Sequence, residues 1–233
     1  YWLGAGALEA SSRPYDTVVF DNKNNRIKLP GNRIDALTDA AIRYIDGHQT
    51  KPFFMFLSFL EPHFQNSNDS FPTPYSMKPI TNPYTPPDLN ALHGTAHQHL
   101  PGYYGMVKRL DECLGRIQDA LRSLNLEQDT ILLFTTDHGC HFKTRNAEYK
   151  RSCHESSIRI PMAFYGGPFT GGGTIQELIN LVDVAPTLLD ACGIAVPADM
   201  QGKSIMPIVQ RKPYEWRDCV FAQISEAEVG RTI

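Results

Sequence analysis

Thr130-Ile131-Leu132-Leu133-Phe134-Thr135-Thr136-Asp137-His138-Gly139 is an apolar run that ends in two metal-ligand residue types and breaks at a glycine. Such a run reads as a buried parallel strand with Asp137 and His138 at its carboxyl end. Open α/β sheets build active sites at that edge, because turns there expose side chains beside helix N-termini. Lys150 follows Asp137 by 13 residues, then come His154-Glu155 and a second strand candidate at 159–165. The order predicts that a carboxylate, imidazoles and an ammonium gather at one strand edge.

Outward from there the two periodicities alternate. Residues 32–46 predict a helix with Ile34, Leu37, Ala41 and Ile45 on one stripe. After Lys51-Pro52, residues 53–60 (Phe-Phe-Met-Phe-Leu-Ser-Phe-Leu) read as a buried strand. Residues 61–101 are rich in Pro, Asn, Ser and His without a period, which predicts a long surface loop. Residues 103–124 are the clearest helix: Met106, Val107, Leu110, Leu114, Ile117, Leu121 and Leu124 recur at threes and fours, with Asn125 as its C-terminal cap. Residues 178–192 predict a helix closed by Gly193, and 219–225 a last strand. Strands separated by helices predict an α/β domain with a largely parallel central sheet flanked by helices.

Composition narrows the class. A chain of 233 residues fits one domain, 1–233, or a large part of one. Its net charge of −3 exerts no overall pull on nucleic acid or an anionic membrane. No apolar run is long enough to span a bilayer. The start, Tyr1-Trp2-Leu3-Gly4, has neither an initiator Met nor a basic leader, and the end shows no closing element, so the chain reads as a fragment or processed piece without a signal peptide. The 5 cysteines form no Cys-x-x-Cys pair, which argues against a structural zinc site.

Five short motifs, in order, resemble the sulfatases of the alkaline phosphatase superfamily: 53–63 ending in Glu61-Pro62-His63, Thr136-Asp137-His138-Gly139, Lys150 with Glu155, Arg159-Ile160-Pro161, and 180–193 followed by Gln201-Gly202-Lys203-Ser204. The resemblance implies an alkaline-phosphatase-like sandwich, present in part. It implies cleavage of sulfate esters by a hydrated formylglycine made from a C/S-x-P-x-R motif, with a divalent metal, Ca2+ before Mg2+ or Mn2+. Carried over position by position, Asp137 and His138 match metal ligands, Lys150 the lysine on the sulfate, and His63 the histidine near the leaving oxygen. His154 and His141 stand as further substrate contacts. The implied partner is a sulfated small molecule or glycan, and the implied address is periplasmic, secreted or lysosomal.

Two departures qualify the match. No cysteine or serine here is followed by x-Pro-x-Arg, so the formylglycine is expected upstream of this chain. His138 also offers nitrogen where calcium favours oxygen. Alternatives are a phosphodiesterase or phosphonate monoester hydrolase of the same superfamily, and a degenerate domain that holds sulfated glycans without cutting them. Plain structural readings stand beside these: Asp137 as a helix cap, Lys150 as a solvated lysine, His63 as a loop residue. His93, His97 and His99 are read as solvent-exposed, and Glu155 as orienting Lys150 or a backbone amide.

Overall fold

The computed structural model describes residues 1–65, 68–78, 80–226 and 228–232. The chain forms two compact units: Tyr1–Ala91 with Thr95–Glu127, and Leu92–Gly94 with Gln128–Ile233.

The first unit opens with β1 (Leu3–Gly4), α1 (Leu8–Ser11), β2 (Thr17–Asp21) and β3 (Arg26–Leu29), then α2 (Arg33–His48), α3 (Pro87–Asn90) and α4 (Ala96–Ser123). The strands form an antiparallel meander in the order β1-β2-β3. α2 begins where predicted, because Asn32 Oδ1 accepts the Ile34 N–H at 3.1 Å and satisfies an orphan donor. Its predicted stripe is the buried one: Ile34, Leu37, Ala41 and Ile45 all lie in the core. Ile34 packs with Leu110 and Cys113 of α4, and Leu37 with Val19 and Leu29 of the meander.

Two expectations change here. Residues 53–60 are extended but belong to no named strand. Leu57 and Phe59 pack against the core while Phe54 and Phe56 on the other side are 75% and 83% exposed. The period of a strand is present without a ladder partner among the described residues. α4 also begins at Ala96, so the first turn of that helix and α3 lie within the predicted 61–101 loop. Pro101 and Gly102 mimic a break. The glycines instead permit close approach: a Cβ on Gly102 would sit 2.1 Å from Phe71 O, and one on Gly105 2.4 Å from the Thr73 methyl. At the far end Asn125 takes φ 57°, and the Leu126 N–H reaches Leu121 O at 2.8 Å, as its capping role requires.

The second unit contains β4 (Leu132–Thr135), α5 (Glu155–Ile158), β5 (Met162–Tyr165), α6 (Val184–Ala191), α7 (Met206–Val209), β6 (Ala222–Glu226) and β7 (Glu228–Thr232). β4 pairs with β5 and β6 with β7, both antiparallel. Among the described residues every strand pair is therefore antiparallel, not parallel as predicted. The connection from β4 to β5 carries only the one-turn α5, and β5 returns directly alongside β4. Before α6 the Asn180 side chain accepts the Val182 N–H while Asp183 Oδ2 accepts the Asn180 N–H, a reciprocal cap. Gly193, with φ 70°, closes α6 as predicted. A Cβ on Gly202 would fall 1.9 Å from Val182 O, so the Gln201–Ser204 stretch requires its glycine to pass this turn.

Candidate active site

β4 ends at Thr135, whose hydroxyl donates to Pro161 O at 3.0 Å and ties the strand end to the entry of β5. Asp137 follows with 81% of its side chain exposed. Its Oδ1 accepts the His138 N–H at 3.0 Å, so it caps its neighbour's amide and not a helix. His138 Nδ1 lies 2.8 Å from Gly139 O. A carbonyl only accepts, so this nitrogen carries a proton. In the neutral ring the Nε2 lone pair then faces Asp137 Oδ2 at 3.4 Å. Two acceptors facing each other are relieved by a shared cation or by a second ring proton.

Two backbone rungs hold the legs of the loop after Gly139 side by side: Gly139 N–H to Ser157 O and His141 N–H to Tyr149 O, both 2.7 Å. A Cβ on Gly139 would meet Ser156 O at 2.2 Å, so only glycine lets the legs approach this closely. Lys150 directly follows the second rung, on the leg opposite Asp137. It is half-buried, and no hydrogen bond or ion pair of its ammonium occurs among the described residues. In the same unit a cavity of about 230 Å³ is lined by Arg145, Arg151, His154 and Arg231, among others. Arg151 is partly neutralised by Glu148 at 2.7 Å. This concentration of guanidinium groups favours an oxyanion.

The predicted site residues divide by unit. Asp137, His138, His141, Lys150 and His154 belong to the second unit, and His63 to the first. His63 Nδ1 donates to Phe64 O at 2.7 Å and its ring stacks on Phe64. That leaves Nε2 as the nitrogen available for chemistry. His141 is wholly buried, with its amide and carbonyl both used inside the loop. His154 is exposed at the entry of α5. Glu155 corrects an expectation: it pairs with Arg159 at 3.1 Å, one turn along, in place of Lys150. His97 and His99 sit on α4 and not in a loop, and His99 packs against Phe71, its ring centroid 5.2 Å away.

Sequence reasoning missed the supports. Arg33 donates through Nε (2.9 Å) and Nη2 (2.7 Å) to Glu61 Oε1, with both side chains buried, two residues before His63. Asp183 accepts from both terminal nitrogens of Arg217, Nη1 at 2.6 Å and Nη2 at 2.7 Å. These partners are 28 and 34 residues apart, beyond any local period. The arginine-lined cavity had a faint signal in the basic run Lys150-Arg151 beside His154.

Among the described residues no group of three or more His, Cys, Asp and Glu is arranged to hold a metal ion. Asp137 and His138 fit a divalent cation as two donors of a larger set, since calcium takes about six to eight oxygens.

The family model described as Sulfatase matches residues 5–194. The chain belongs to the sulfatase family. Among its sulfatase relatives, Arylsulfatase K of Rattus norvegicus is 38% identical over 106 residues, covering 46% of this chain and 19% of that protein. Arylsulfatase K of Danio rerio is 26% identical over 238 residues, covering 88% and 45%. In three dimensions the sulfatase chain resembles the structure of BT4656 in complex with its substrate D-glucosamine-2-N,6-O-disulfate, with a TM-score of 0.75 at 22% identity, covering 97% of this chain and 62% of that one. This likeness carries the alkaline-phosphatase-like fold. The sulfatase chain thus spans less than half the length of these curated relatives. The family is generally metal- and formylglycine-dependent. No helix among the described residues is long and apolar enough to cross a membrane.

Proposed function

We propose that the protein hydrolyses sulfate esters of glycans, with this chain supplying part of the metal and sulfate site. The observation that carries the proposal is the Asp137–His138 pair, two acceptors face to face at the end of β4 in a chain of the sulfatase family. Asp137 and His138 would donate to a divalent cation, Ca2+ first, whose charge would polarise the sulfuryl oxygens. Lys150, with its unengaged ammonium, offers a fixed positive charge to the same oxygens as they gain charge. His63 has Nε2 free to hold a proton for the departing alkoxide, because Nδ1 is committed to Phe64 O. The cavity lined by Arg145, Arg151 and Arg231 favours a substrate that carries further anionic groups. The substrate bound in the BT4656 complex, a doubly sulfated glucosamine, supports this class.

The test is hydrolysis of 4-nitrophenyl sulfate by the full-length protein, with 4-nitrophenyl phosphate in parallel. Asp137→Asn and Lys150→Ala are each expected to lower kcat/KM by about 100-fold or more. Chelation with EDTA is expected to abolish turnover and Ca2+ to restore it. Undiminished activity in Asp137→Asn would remove that residue from the site. Preference for the phosphate would favour a phosphohydrolase, and saturable glycan binding without turnover of either ester a binding domain.

A further inference from the structure

We propose that a cavity in the first unit is a subsite for an unsulfated pyranose residue of a glycan chain. The inference rests on the glycan reading just given and adds where the sugar next to the one losing its sulfate is held. The cavity is about 360 Å³, room for one sugar ring with solvent, and its lining includes Arg13, Tyr15, Asp16, Gln65, Asn68 and Tyr75.

Three features match a pyranose. The first is a fixed aromatic face. Tyr15 and Tyr75 stack with centroids 4.5 Å apart and planes 7° from parallel, and the Tyr75 N–H donates to the Tyr15 hydroxyl at 2.7 Å. Tyr75 is nevertheless 88% exposed. A tyrosine pinned in the open presents amphipathic area with little entropy left to lose on binding. The second is a set of unused planar donors. Gln65 is only 3% exposed, and its Nε2 has no hydrogen-bond partner. A buried amide left so is costly unless a ligand or water fills the need. Asn68 Oδ1 accepts from Ser70, which leaves its NH2 group for the cavity. The third is the balance of charge. Asp16, paired with Lys28 at 2.8 Å, supplies carboxylate acceptors and Arg13 supplies donors. Hydroxyls, which donate and accept, satisfy both. A sulfate would be repelled by Asp16, and a wholly apolar ligand would leave Gln65 unpaired.

Chain distance connects this cavity to the proposed chemistry. Gln65 is two residues after His63, so their Cα atoms are within about 7 Å. A sugar whose oxygen is protonated by His63 has its next ring within reach of the cavity. Near the cavity, Gln65 N–H donates to Ser70 O at 2.7 Å and Phe71 packs closely on Gly102.

The probe is an unsulfated chondroitin tetrasaccharide, titrated into the 233-residue chain and followed by isothermal calorimetry and saturation-transfer NMR. Saturable binding is expected, weakened about tenfold by Tyr75→Ala through loss of stacking. Gln65→Met, close in shape but without the amide, should weaken it by several-fold. Tyr84→Ala, 71% exposed but outside the cavity lining, should leave it unchanged. No binding to the parent chain, or equal losses from Tyr75→Ala and Tyr84→Ala, would overturn the subsite. Aryl sulfate turnover by the full-length protein separates the two readings. Its absence counts against the sulfatase reaction, whereas turnover with an unresponsive Tyr75→Ala counts against the subsite alone.

Discussion

Asp183 has no exposed side-chain surface yet carries a charge. Burial pushes its carboxyl up, but hydrogen bonds from Arg217 and from the Asn180 and Lys203 amides outweigh that and hold it below the ordinary 3.8. Removing the charge by Asp183→Asn leaves the Arg217 guanidinium without its counter-ion, at a cost of about 3–5 kcal/mol in urea unfolding at pH 7. Because the folded carboxyl is lowered, its contribution is complete above the unfolded value and is lost as the pH falls through the folded one. The stability gap between parent and variant should therefore be full at pH 6 and shrink below pH 3.8. The cysteines give a second residue-level contrast. Burial pushes the Cys140 thiol up to about 12, whereas Cys192 and Cys219 are exposed. Iodoacetamide at pH 8, read by peptide mass mapping, should label Cys192 and Cys219 readily and Cys140 only after unfolding.

At the scale of elements, the loop after β4 depends on one glycine. Gly139→Ala forces a methyl into Ser156 O, at an expected cost of about 1–3 kcal/mol, and displaces the turn that carries Asp137 and His138. The full-length variant should lose activity beyond its loss in thermal stability. α2 and the capping of α4 at Asn125 were legible in advance, since stripes and caps are local signals. The start of α4 was not. Pro101 and Gly102 look like breakers until Phe71 and Thr73 are seen packed against the glycines. Residues 53–60 show the converse: a two-residue period identifies an extended segment but not its partner.

For the molecule as a whole, that segment leaves two large apolar side chains, Phe54 and Phe56, strongly exposed. Phe54 and Phe56 point away from the core of the first unit. Phe54→Ser with Phe56→Thr should change unfolding free energy by less than about 1 kcal/mol while reducing dye binding and self-association of the isolated chain. The order of short motifs along the chain was enough to name the family, and with it the chemical types at 63, 137, 138 and 150. Helix stripes and caps were equally readable, because each is written within a few consecutive turns. Tertiary structure alone decided that the strand pairs run antiparallel, that Glu155 turns to Arg159, that His141 is enclosed, and that Arg33–Glu61 and Asp183–Arg217 stabilise the supports. Those outcomes depend on which distant groups can desolvate together with their charges paired, and no local period records that.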